Sequence, residues 1–184
     1  MPLSTLGEEQ ALAIRERLRD TPPELFVCSR LLRARQTAAP TLAIFPSIPV
    51  ETWPIGEFGV LATSRWVNTT NVQRRPWRQE YWDRADPHFV DGEGAESFSA
   101  FIARVCATYA RLETFYREGR RSIVIFGHGQ FFLGMRWLVQ ENIKDITPEG
   151  MQALHHIFKT APFENGAGFT AIFDGRSWSI GQEA

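Results

Sequence analysis

The chain has 184 residues, 43% hydrophobic and 22% charged, with a formal net charge of -1. This balance is that of a globular domain long enough to bury one core. It offers no excess of positive charge for nucleic acid or an anionic membrane surface, and no apolar run long enough to cross a membrane.

Ser4-Thr5-Leu6-Gly7-Glu8 reads as a helix start, with Thr5 and Glu8 at capping-box spacing, so no signal peptide is expected. Ala11, Ile14 and Leu18 repeat at helical intervals up to Pro22-Pro23. Leu25-Phe26-Val27-Cys28 predicts a short buried strand, Leu32 to about Ile44 a helix, and Val50 to Trp53 a further strand. Residues Leu61 to Gly94 differ in character: Trp66, Trp77, Trp82, Tyr81 and Phe89 lie among Arg65, Arg74, Arg75, Arg78 and Arg84 without clear period. They are read as an insertion or lid over the sheet edge. Ser97 caps a long helix with Phe101, Ile102, Val105, Tyr109 and Leu112 on one face.

Ser122-Ile123-Val124-Ile125-Phe126 then runs into Gly127-His128-Gly129, followed by a helical pattern from Phe131 to Gln140. This predicts a buried parallel strand that presents His128 at its carboxyl end, where open α/β sheets bind ligands. The two glycines leave room for a ligand beside the backbone. A helix from Pro148 follows, and Asp174-Gly175 marks a hairpin between Gly168–Phe173 and Ser177–Ile180. Strands alternating with helices predict a three-layer α/β domain over residues 1–184, its sheet doubly wound and mostly parallel, with helices on both faces and a small lid at about 61–94. Cys28 and Cys106 fall in segments that read as core, so a reducing, cytoplasmic compartment is expected rather than a disulfide framework. His155 and His156 read as packing or surface residues of a helix, and no metal site is expected.

Four motifs occur in order: Leu3-Ser4-x-x-Gly7-x-x-Gln10-Ala11; Ser29-x-Leu31-x-Arg33-Ala34-x-Gln36-Thr37; Ile55-Gly56-Glu57-Phe58-Gly59; and Gly94-Ala95-Glu96-Ser97 with Arg104, leading to Gly127-His128-Gly129. Together they resemble the histidine phosphatase superfamily, over essentially the whole chain. The resemblance implies phosphomonoester hydrolysis through a phosphohistidine, with no metal or organic cofactor. On matching positions it implies Arg33 and His128 as holders of the phosphoryl oxygens, Gly129 as a backbone N–H donor, and Glu57 as acid and base. Glu51, Glu93 and Glu96 remain rivals for the last role. Physically, an arginine fork at a helix start suits a phosphoryl group, and Glu57 needs a raised pKa to donate a proton near neutrality. Arg74 and Arg75 are candidate lid contacts to a charged substrate. The segment between Glu57 and Ser97 is short for a phosphoglycerate mutase, so a phosphatase is favoured.

The family's nucleophile lies in an Arg-His-Gly motif on a first strand ahead of the Leu-Ser-x-x-Gly helix. No Arg-His-Gly occurs in this sequence, and His88, His155 and His156 do not match that position. Three readings stay open: a segment preceding Met1, a truncated inactive gene, or a member that binds phosphorylated ligands without turnover. Gln130 departs from the glycine that many relatives have. The expected ligand is phosphate or a phosphorylated small molecule. A sheet lacking a central strand leaves backbone groups unpaired, so the gap is expected to be filled by another segment or covered in a homodimer.

Overall fold

The computed structural model describes residues 2–143 and 145–183. Twelve elements follow in order: α1 (Thr5–Leu18), β1 (Leu25–Ser29), α2 (Leu32–Ile44), β2 (Val50–Trp53), α3 (Thr63–Trp66), α4 (Asn71–Asp83), α5 (Phe98–Arg117), β3 (Ile123–Phe126), α6 (Gly129–Gln140), α7 (Pro148–Thr160), β4 (Phe169–Phe173) and β5 (Trp178–Glu183).

β1 is buried along its whole length because it is the middle strand of a parallel sheet ordered β2-β1-β3. Its side chains alternate between two apolar layers. Phe26 and Cys28 pack with Ala34, Ala38 and Phe126, against Ile14 and Leu18 of α1. Leu25 and Val27 face the larger layer, with Phe101, Ile102 and Val105 of α5 and Phe131 and Met135 of α6. The chain is thus α/β, a parallel three-stranded sheet between helices. Phe101 is fully buried there, stacked on Phe58 at 4.6 Å and edge-on to Phe131 at 6.1 Å. Phe101→Ala is expected to cost about 3–5 kcal/mol, read from urea unfolding.

Three sequence expectations change. Ser4, not Thr5, caps α1: its hydroxyl accepts the Gly7 N–H, and the helix begins at Thr5. Cys106 is exposed whereas Cys28 is buried; one position past Val105, it leaves the apolar stripe of α5. Residues 61–94 contain a true helix, α4, opened by a Thr70–Gln73 capping box. Its arginines mask a period that buries Tyr81 and Trp82 in the main core. The expected C-terminal hairpin forms: among the described residues β4 and β5 pair only with each other, antiparallel, and pack on α5 through Tyr109–Trp178 and Tyr116–Phe173 contacts.

Both ends of segment 61–94 are fastened. The Ala62 N–H donates to Asp91 at 2.9 Å, Arg65 pairs with the buried Asp91 carboxylate at 3.2 Å, and the Thr63 N–H donates to the Glu93 carbonyl at 2.9 Å. Gly94 closes the loop at φ +80°, and a Cβ there would lie 2.1 Å from the Thr63 hydroxyl.

β3 is the second edge of the parallel sheet, and among the described residues its outer edge hydrogen-bonds no strand. Ile123, Val124 and Ile125 are consequently only half-buried. Arg17 of α1 reaches the Gly166 carbonyl at 2.7 Å and Phe169 of β4 meets Phe132 of α6, so the loop before β4 spans from the α6 layer to α1.

Candidate active site

Each of the three parallel strands delivers one candidate site residue just past its carboxyl end. After β1 the chain turns into α2, whose first turn carries Arg33. After β2, Pro54-Ile55-Gly56 leads to Glu57. β3 ends at Phe126, and His128 is the N-cap residue of α6. The open end of a parallel sheet gathers such residues because helix N-termini and strand ends meet there.

The Glu57 carboxylate lies 3.8 Å from Arg33 Nη2 and 3.8 Å from His128 Nδ1, so one carboxyl oxygen faces both groups. Burial raises the Glu57 pKa above the ordinary carboxylate value, opposed by Arg33 and by the Gln130 N–H at the start of α6. His128 is buried, and its Nε2 lies 2.9 Å from Ser29 Oγ. Burial first, then the Arg33 and Arg104 charges, push its pKa from 6.5 down to about 4. Near neutrality the site therefore holds a neutral imidazole beside the Arg33 guanidinium and a carboxyl whose pKa burial has raised.

The histidine shift has a measurable consequence. An unfolded histidine takes its proton near pH 6.5, and the folded one only near pH 4. The stability contribution is complete above pH 6.5 and falls as pH drops toward 4, by on the order of 3 kcal/mol. Glu57 acts in the opposite sense, contributing fully at low pH and less as pH rises through its raised value. Subtracting the urea stability of His128→Asn from that of the wild type at each pH is expected to leave the histidine slope alone.

Arg104 on α5 holds the Glu57 loop from beneath. It grips Glu96 with two hydrogen bonds of 2.6 and 2.8 Å and donates to the Pro54 and Gly56 carbonyls at 2.6 and 3.3 Å. The Gly94–Ser97 motif is therefore more than a helix start: it positions the carboxylate that orients Arg104. Two of the three rival acids are occupied elsewhere. Glu96 belongs to this clamp, and Glu51 binds Arg111 at 2.5 Å and the Trp53 indole at 2.8 Å.

The two glycines beside His128 are not alike. A Cβ at Gly127 would meet the Phe132 ring at 2.8 Å, so the ring, not a ligand, takes that space; at Gly129 the nearest atom would be Phe163 Cβ at 3.9 Å. Gly129 opens α6, where first-turn N–H groups lack helical partners. Among the described residues no hydrogen bond or ion pair links the lid arginines Arg74 and Arg75 to Arg33, Glu57 or His128. Arg74 donates to the Thr69 carbonyl and to Asn71, both at 2.7 Å, and covers Trp66 at 4.3 Å. Arg75 is exposed on α4. His155 stacks on Trp82 at 4.1 Å, a packing role. Among the described residues, no group of His, Cys, Asp and Glu is placed to hold a metal ion, and no helix is long and apolar enough to cross a membrane.

The pattern for the histidine phosphatase superfamily (branch 1) matches residues 1–162. The chain belongs to that superfamily. Solved structures share its fold. An alpha-ribazole phosphatase from Shigella flexneri is 22% identical with a TM-score of 0.72, covering 97% of this chain and 82% of that one. A mycobacterial glucosyl-3-phosphoglycerate phosphatase is 22% identical with a TM-score of 0.69, covering 98% and 85%. Bacillus stearothermophilus YhfR is 17% identical with a TM-score of 0.72, covering 97% and 82%. No curated protein gives a significant match.

Ser29 is the contact of the candidate site least visible in the sequence. It stands in the motif that carries Arg33, but its link to His128 spans 99 residues. The Glu96–Arg104 clamp was half visible, as a motif without a role.

Proposed function

We propose that this chain carries the phosphoryl-binding and acid–base part of a phosphomonoesterase site working through phosphohistidine. The observation that supports this best is the convergence of Arg33, Glu57 and His128 at the ends of three adjacent parallel strands. In this reading Arg33 holds two phosphoryl oxygens and offsets their charge in the transition state. His128, neutral, and the Gly129 N–H donate to the remaining oxygens. Glu57, its pKa raised by burial, protonates the leaving oxygen and then activates water. The nucleophilic histidine arrives on a strand beyond the described residues, laid along the open edge of β3.

Membership of the superfamily and the phosphatase names of the structural neighbours support the reaction class. Substrates of the alpha-ribazole or glucosyl-3-phosphoglycerate kind are small phosphomonoesters, and a small phosphorylated metabolite is the proposed ligand class here. The free thiols of Cys28 and Cys106 suit work in a reducing, cytoplasmic compartment.

A second reading, a phospho-ligand binding module without turnover, is favoured by one observation. His128 is the only described histidine in contact with the Arg33–Glu57 pair. Calorimetric titration with inorganic phosphate, run beside an assay with p-nitrophenyl phosphate, tests both readings. Phosphate binding is expected, with hydrolysis at background for these 184 residues alone. Absence of binding removes both readings.

A further inference from the structure

We propose that Ser29 is a positioning residue that fixes the tautomer of His128, so that Nδ1 carries the proton and faces the pocket while Nε2 is bare. The inference rests on the phosphoryl-site reading for its use, but its structural basis is independent of any ligand.

Ser29 is the last residue of β1 and fully buried. Its hydroxyl has one proton to give and two lone pairs to receive. The Leu31 N–H, at 3.3 Å, takes one lone pair as the chain turns toward α2. The other neighbour is His128 Nε2, at 2.9 Å. Were Nε2 protonated, Ser29 would accept twice and its own O–H would be buried with no acceptor, an arrangement folded proteins avoid. With Nε2 bare, the serine proton goes to Nε2 and every polar atom of Ser29 is used. A neutral imidazole then carries its proton on Nδ1.

That proton points where the site needs it. Nδ1 lies 3.8 Å from Glu57 Oε1, too far for a hydrogen bond but favourable for a donor facing an acidic oxygen. Arg33 Nη2 is the same distance from that oxygen. Both donors are thus turned to one space and neither is satisfied by the carboxylate, as suits a phosphoryl oxygen arriving between them. Of the two imidazole nitrogens, only Nδ1 can then serve the ligand, because Nε2 is held by Ser29 at the floor of the site.

Long-range ¹H–¹⁵N correlation of the histidine rings at neutral pH reads the tautomer directly, with no variant and no ligand. The expected result is His128 protonated at Nδ1 in nearly all molecules. Ser29→Ala is expected to shift His128 toward a mixture of tautomers and to weaken inorganic phosphate several-fold, and Ser29→Thr, which keeps the hydroxyl, to restore both. Protonation at Nε2 in the wild type overturns the inference. So does an unchanged tautomer in a folded Ser29→Ala, which would assign the bias to Glu57 instead. The expected tautomer in the wild type and its loss in Ser29→Ala, together with no phosphate binding, uphold the Ser29 assignment and overturn the phosphoryl-site reading.

Discussion

Arg33→Ala is expected to weaken inorganic phosphate binding by roughly 10- to 100-fold, the scale of a lost charge-assisted, two-pronged hydrogen bond. The size of the effect follows from what Arg33 does before any ligand arrives. Its guanidinium stands 3.8 Å from Glu57, close enough to feel the charge but not committed to a hydrogen bond. A phosphoryl group therefore does not have to break a strong ion pair to claim the fork. Arg33→Lys keeps the charge and loses the planar geometry, so it should retain only part of the affinity. Glu57→Gln should act in the reverse direction. It removes a negative charge facing the anion, and at any one pH it is expected to bind phosphate more tightly than the wild type. Comparing the two at the same pH cancels the ligand's own ionisation. Titration calorimetry of all three variants distinguishes this site from a surface arginine that happens to attract anions: there, Glu57→Gln would change nothing. Equal affinities for wild type and Arg33→Ala would remove Arg33 from the site.

The sequence shows its strands and most helices because apolar runs and caps coincide. Leu25–Cys28 and Ile123–Phe126 are short, β-branched or aromatic, and bounded by turn signals; Ser97 and Thr147 cap the helices that follow them. What it conceals is of two kinds. In α4 the signal was present but overlaid, since Arg74, Arg75 and Arg78 alternate with aromatic residues and Pro76 sits inside the helix. Long-range partnerships had no local signal at all. Nothing near Ser29 announces His128, and nothing in Phe169–Phe173 announces that the hairpin stays apart from the parallel sheet. Glu57 stood out among the acids only through its motif. The structure separates it from Glu51 and Glu96 by the partners each acid already has, which is information about distances between elements.

The open edge of β3 leads to the prediction with the largest expected effect. A parallel strand is ordinarily flanked on both sides and buried on both faces. β3 has the composition for that position, Ile-Val-Ile-Phe, yet its outer backbone groups meet no strand among the described residues, and it carries no charged residue to protect the edge. A peptide of strand length added along this edge would satisfy those groups. If it ran parallel to β3, its carboxyl end would come beside Gly127 and His128, about 4.8 Å from the backbone there. A histidine at that end would enter the space faced by Arg33 and Glu57. An apolar, β-branched peptide ending in Arg-His-Gly is therefore expected to raise p-nitrophenyl phosphate hydrolysis by at least about 10³-fold over the chain alone, less than the loss seen when a catalytic nucleophile is deleted. The rise should saturate with peptide concentration, vanish when the peptide's histidine is replaced by asparagine, and vanish in Arg33→Ala. A peptide that binds the edge, raises the unfolding midpoint and yields no hydrolysis would instead support the binding module, because strand, arginine, acid and histidine would all be present and still do no chemistry. A peptide that does not bind at all would mean that the loop before β4, tied to α1 through Arg17 and Gly166, already closes this edge to a further strand.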